Sequence, residues 1–125
     1  MKYSELIEIA LQNSRCVALS DNASLDGEST AMLSKDGTVF TGISVQSVTQ
    51  AGCNSGVSAI AEALKSGQSH FIKMVTVNSK GDIIAPSGQT RDLLAQINSE
   101  NKQCEIMVSK DHLVILDQLL PYTAR

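Results

Sequence analysis

The segment Ala85-Pro86-Ser87-Gly88-Gln89-Thr90-Arg91-Asp92-Leu93-Leu94 constrains the fold more than any other. Pro86 and Gly88 stop a preceding strand, and Leu93, Leu94 and Ile97 then recur at helical spacing. The segment therefore reads as a loop running into a helix from Thr90 to about Glu100. An earlier segment, Cys53-Asn54-Ser55-Gly56-Val57-Ser58-Ala59-Ile60, reads the same way. Asn54 or Ser55 can cap its helix, because a short polar side chain accepts a hydrogen bond from a free N–H of the first turn. Val57, Ile60, Ala61 and Leu64 are the expected buried face, and Gly67 the expected C-terminal cap.

Strands fill the space around these helices. Thr30 to Leu33 and Thr38 to Val45 form a predicted hairpin turned at Asp36-Gly37, where glycine supplies the positive φ such turns need. Phe71 to Val77 alternates, with Val75 and Val77 on one face and Met74 and Thr76 on the other. Ile83 and Ile84 give a short return after an Asn78–Asp82 turn. Cys104 to Ser109 and His112 to Leu116 are two further strands, followed by a short helical end. A first helix is expected from a cap at Ser4 to Asn13, with Leu6, Ile7, Ala10 and Leu11 as its apolar stripe. Asp21 to Glu28 is rich in Asp, Asn, Ser and Gly and reads as a loop. The principal order is α-β-β-α-β-α-β-β, an α/β chain.

Composition narrows the function. The length of 125 residues suits a single domain, 1–125. The formal net charge of -3, with basic residues scattered, argues against a nucleic-acid partner. No apolar run is long enough to span a membrane, and the N-terminal residues lack a signal-peptide core. Three cysteines without a C-x-x-C pair suit a reducing cytoplasm.

Few side chains are placed for chemistry. His70 and His112 belong to no metal or catalytic motif. Cys53 alone offers one sulfur where a zinc site needs three protein ligands, and Ser87 and Thr90 are poor zinc donors. Ser99-Glu100-Asn101-Lys102 matches S-x-x-K without the companion motifs that would give it meaning. Glu62, Asp92 and Glu100 read as a solvated face.

Several pieces in order resemble the cytidine deaminase family. Lys35-Asp36-Gly37-Thr38-Val39-Phe40-Thr41-Gly42 is similar to its EDGxxFTG hairpin, and Ile43-Ser44-Val45-Gln46 falls at its C-N-V-E. Ser58 to Gly67 is similar to its C-A-E-R-T-A-I helix. Pro86 to Leu94 is similar to P-C-G-A-C-R-Q-V-L, and Leu119-Leu120-Pro121-Tyr122 to its closing L-L-P-Y. The resemblance implies a three-layer α-β-α sandwich around a mixed five-stranded sheet. It also implies a zinc site between the two helix starts, with a glutamate as proton shuttle.

The departures fall on that site. An ungapped register puts Asn54 at the first zinc ligand and Gly56 at the catalytic glutamate. A one-residue slide brings Cys53 and Ser55 to those positions. Neither register supplies a carboxylate, and Ser87 and Thr90 replace the two later sulfurs. Ser44 and Gln46 stand at the family's ribose-contacting positions. We expect no zinc, and a non-catalytic nucleoside- or small-ligand-binding or scaffold protein. The alternative is an active deaminase of cytidine or blasticidin-type substrates, or a hydrolase, using other residues or an unforeseen zinc site. Asn54, Ser55, Ser87 and Thr90 are expected either to line a polar pocket for water or a small anion, or to collapse, with Cys53 and Pro86 filling the gap. A homodimer or homotetramer is expected, covering an apolar tail of Leu116, Leu119, Leu120 and Tyr122.

Overall fold

Strand β2 (Ala23–Ser34) is the spine of a sheet in which every other element finds its place. It pairs antiparallel with β3 (Val39–Ser47) on one side and with β4 (Phe71–Val77) on the other. Strand β6 (Glu105–Ser109) adds parallel to β4, and β7 (His112–Ile115) closes the sheet antiparallel to β6. This β3-β2-β4-β6-β7 array is the mixed five-stranded sheet expected. Two short strands extend it to seven: β1 (Cys16–Ala18) beside the first part of β2, and β5 (Ile83–Ile84) beside the end of β4. The computed structural model describes residues 1–120. Pro121 and Tyr122 lie outside the described residues.

Alternation along the strands divides the core into two layers. Ala31, Val75, Val77 and Met107 face α1 (Tyr3–Gln12), which buries Leu6 and Ala10 against them. Met32, Met74 and Ile106 face the opposite way, against α2 (Ser55–Lys65) and α3 (Gly88–Ile97), with Ala59, Ile60, Ala63 and Leu94. The result is the three-layer α-β-α sandwich, with α2 and α3 side by side on one face.

The approach of α2 to β3 depends on Gly42. A Cβ there would lie 2.9 Å from Ala59 Cα and closer still to the Ser55 carbonyl and the Ala59 nitrogen. Only a residue without a side chain lets the helix backbone come so near. This corrects the expected buried face. The face is Gly56, Ala59, Ile60 and Ala63, while Ala61 and Leu64 are exposed, Leu64 by 45%. Small residues win because they allow close approach, which Leu64 at the contact would prevent.

Other boundaries also shift. Ser4 lies inside the first turn of α1 rather than capping it. Helix α3 begins at Gly88 and ends at Ile97, giving way to a 3-10 segment, Ser99–Gln103. The Asp21–Glu28 loop is instead largely strand. Its polar residues are accommodated by a register shift between Leu25 and Ser29, with Gly27 at φ +92°. Leu116 and Leu120, expected in an exposed tail, are buried in the core of this same chain. Gly37 and Gly67 adopt the positive φ their turn and cap positions require.

Candidate functional site

The two helix starts meet through side chains. Asn54 is the N-cap of α2, its Oδ1 accepting the Val57 N–H at 2.8 Å. Ser87 is the N-cap of α3, its Oγ accepting the Thr90 N–H at 3.1 Å. The Ser87 hydroxyl donates to Thr90 Oγ1 at 3.0 Å, and the Thr90 hydroxyl donates to Asn54 Oδ1 at 2.9 Å. Asn54 Nδ2 donates to Gln89 Oε1 at 2.9 Å. Of the two outcomes expected for these groups, they adopt mutual contact. Gly56 completes the closure. A Cβ at this position would lie 2.9 Å from Thr90 Cβ and closer to its Oγ1 and Cγ2, so Thr90 fills the space beside it.

Ser55 turns the other way. It is fully buried and hydrogen-bonds Thr30 Oγ1 at 2.7 Å, and Thr30 bonds Thr76 Oγ1 at 2.8 Å. The Glu28 carboxylate accepts both the Ser55 hydroxyl and the Ser55 N–H, the latter at 3.2 Å. A carboxylate thus satisfies a free N–H at the start of α2, where the helix dipole favours negative charge. Sequence reasoning missed Glu28, Thr30, Thr76 and Gln89. Glu28 lies in the Asp21–Glu28 segment, directly after Gly27 at φ +92°. The loop-like composition of that segment obscured it.

Asp26 belongs to a second polar set. The Ser44 hydroxyl, 2% exposed, lies 3.4 Å from Asp26 Oδ2, and Gln46 Nε2 donates to Ser44 Oγ at 2.9 Å. Cys53 pairs its backbone with Val45 in both directions. Gly52 permits this, since a Cβ there would lie 2.7 Å from the Val45 carbonyl carbon. The Cys53 sulfur is turned toward the Ile43 carbonyl, 4.0 Å away.

An open cleft of about 410 Å³ lies beside the closed helix starts. Its walls include Gln46, Gln50, Cys53, Asn54, Val57 and Gln89. No carboxylate, lysine, arginine or histidine is among them, and the side-chain amides suit an uncharged polar molecule. The sequence-predicted positions therefore divide. Gln46, Cys53 and Asn54 line the cleft, Ser87 and Thr90 support it through Asn54, and Ser44 supports Gln46. Ser55 and Gly56 are buried.

Among the described residues, no group of three His, Cys, Asp or Glu side chains is placed to hold a metal. The side chains at the helix starts are an amide and two hydroxyls, already bonded to one another. Zinc takes thiolate, imidazole or carboxylate donors, so the residues present do not fit it. Elsewhere, Glu62 is a solvated partner of Lys65 at 3.7 Å, and His112, Asp92 and Glu100 are exposed. No helix among the described residues is long and apolar enough to cross a membrane.

No protein-family model matches the sequence, and no curated protein matches it. Solved structures do match its fold. Cytidine deaminase from Mycobacterium leprae superposes with a TM-score of 0.81 at 22% identity, over 97% of this chain and 98% of that one. Cytidine deaminase from Mycobacterium tuberculosis gives 0.78 at 23%, over 98% and 96%. The enzyme from Burkholderia pseudomallei gives 0.76 at 22%, over 99% and 100%. The chain has the cytidine deaminase fold.

Proposed function

We propose that this chain is a non-catalytic binding protein on the cytidine deaminase fold, taking a nucleoside or a similar uncharged small molecule. The observation that carries this reading is the closed Asn54–Thr90–Ser87 set beside an open cleft lined by side-chain amides. Hydrolytic deamination by this fold's zinc chemistry needs a metal-activated water and a carboxylate to move protons. The side chains at the helix starts form no set of zinc donors, the one carboxylate there, Glu28, is engaged by Ser55, and Thr90 occupies the space next to Gly56. The cleft keeps the elements of recognition: amide groups that donate and accept, with an apolar contact at Val57.

The enzymatic alternative would draw on Ser55 with Glu28. Ser55 is fully buried, and its hydroxyl is engaged by Glu28 and Thr30, which favours a structural role. Self-association as a homodimer or homotetramer is part of the proposal, with no nucleic-acid or membrane partner. The location we propose is the cytoplasm.

Plasma-emission metal analysis, calorimetric titration with cytidine and deoxycytidine, and an assay for ammonia release test the reading together. The expected outcome is binding without turnover and far less than stoichiometric zinc. A stoichiometric zinc that is lost on Cys53→Ala, or turnover of either nucleoside, would overturn it.

A further inference from the structure

The hydrogen bonds at the helix starts have fixed directions, and those directions decide what the cleft offers a ligand. The Val57 N–H is a donor only, so the Asn54 atom that faces it is the carbonyl oxygen. That oxygen also receives the Thr90 hydroxyl, whose own oxygen receives the Ser87 hydroxyl. The Ser87 oxygen is in turn held by the Thr90 N–H. The Val57 N–H therefore sets the orientation of the Asn54 amide, and the directions of the two hydroxyls follow from it. Its Nδ2 must then point at Gln89, and a donor there requires the carbonyl end of Gln89 to face it. The amide nitrogen of Gln89 is left for the cleft, which Gln89 lines.

Gln46, which also lines the cleft, carries the opposite sign. The Ser44 hydroxyl donates to Asp26 Oδ2, and Ser44 Oγ accepts from Gln46 Nε2. The carbonyl oxygen of Gln46 is the end left for the cleft.

We infer that the cleft reads hydrogen-bond direction, with Gln89 as the specificity-determining donor that selects a ring carbonyl over a ring amine and Gln46 as a general acceptor. This rests on the proposed nucleoside-binding role and names the ligand class within it. Uridine and cytidine supply the probe, because one carries a carbonyl where the other carries an amine. A donor facing a carbonyl forms a bond, whereas a donor facing an amine leaves both groups unpaired. The expected preference is about 3- to 10-fold for uridine, the range of one net hydrogen bond.

Asn54→Asp is the decisive variant. Aspartate keeps the cap on Val57 and accepts from Thr90, so the helix start is retained. Its second oxygen replaces the Nδ2 donor with an acceptor. Gln89 must then turn its nitrogen inward and present its carbonyl to the cleft. Calorimetric titration of both nucleosides into the wild type, Asn54→Asp, Gln89→Leu and Gln46→Leu reads the result, with thermal unfolding as a check that each is folded. Uridine preference in the wild type, inversion in Asn54→Asp, loss of preference in Gln89→Leu and equal weakening in Gln46→Leu are the expected results. Binding with no preference, or a folded Asn54→Asp whose ratio is unchanged, would overturn the directional inference while leaving ligand binding intact. If neither nucleoside binds the wild type, the ligand-binding reading itself fails and this inference falls with it.

Discussion

Gly56 and Thr90 sit against each other at the junction of α2 and α3, so closely that glycine is the only residue the present Thr90 rotamer admits. The contact joins the two helix starts. It also explains how an amide and two hydroxyls can close the site without leaving polar atoms unpaired.

Gly56→Ala is expected to destabilise the protein by about 1–3 kcal/mol, because the added methyl meets the Thr90 side chain. Thr90→Ala loses the bonds to Asn54 and Ser87, at a cost of about 1–2 kcal/mol. The double variant removes most of the clash and should cost less than the sum of the two by about 1 kcal/mol or more. A double-mutant cycle by urea denaturation measures this, and simple additivity would contradict the contact.

The side-chain tips of Asn54, Ser87 and Thr90 already converge, with neighbours 2.9 and 3.0 Å apart. Asn54→Cys, Ser87→Cys and Thr90→Cys together should therefore create a zinc site holding about one ion per chain, since three thiolates and an open position make a stable tetrahedral set. Metal analysis of the triple variant beside the wild type reads this. Failure of a folded triple variant to take up zinc would mean the helix starts do not keep the required geometry.

The three cysteines should separate by reactivity. Cys16 and Cys53 are exposed, whereas Cys104 is 1% exposed and burial, aided by the nearby Glu105 charge, pushes its thiol up to about 12. Alkylation of the native protein near neutral pH should modify Cys16 and Cys53 and spare Cys104 until denaturant is added, as peptide mass spectrometry would show. The same shift bears on stability. The folded state holds the Cys104 proton more firmly than the unfolded chain, so this contribution is complete below pH 9.0 and is lost as pH rises toward about 12. Tyr3, half-buried and bonded to Glu105, is shifted upward as well and acts in the same direction. Urea midpoints should fall across that alkaline range, and a flat profile would contradict both shifts.

Ser29 is fully buried at the end of the β2 register shift, and its hydroxyl has no partner among the described residues. Ser29→Ala is expected to raise stability by about 1 kcal/mol by removing an uncompensated polar group. Thermal unfolding would show it as a higher midpoint, and a lower one would place an unseen partner at that hydroxyl.

Much of the architecture was legible in the sequence because it depends on local backbone geometry. Asn54 as a cap, Gly67 after a helix, Asp36-Gly37 in a hairpin and the alternation of Met74, Val75, Thr76 and Val77 each follow from the dihedral angles a few adjacent residues must adopt. The resemblance to the deaminase family placed both helix starts correctly on one face of the sheet. The loop-like residues of Asp21–Glu28 misled because a single bulge at Gly27 lets a strand carry turn-like composition. Leu64 and Leu116 misled because periodicity marks an apolar stripe but not the depth to which a neighbour covers it. The candidate site was decided only in three dimensions. Thr90 meets Asn54 across 36 residues and Glu28 meets Ser55 across 27, through the packing of two helices on one sheet and the register of β2. The sequence by itself determined which polar groups stand at the helix starts. Tertiary structure alone decided that they satisfy one another and which end of Gln89 faces the cleft, since hydrogen-bond direction is set by the partner that packing brings within reach.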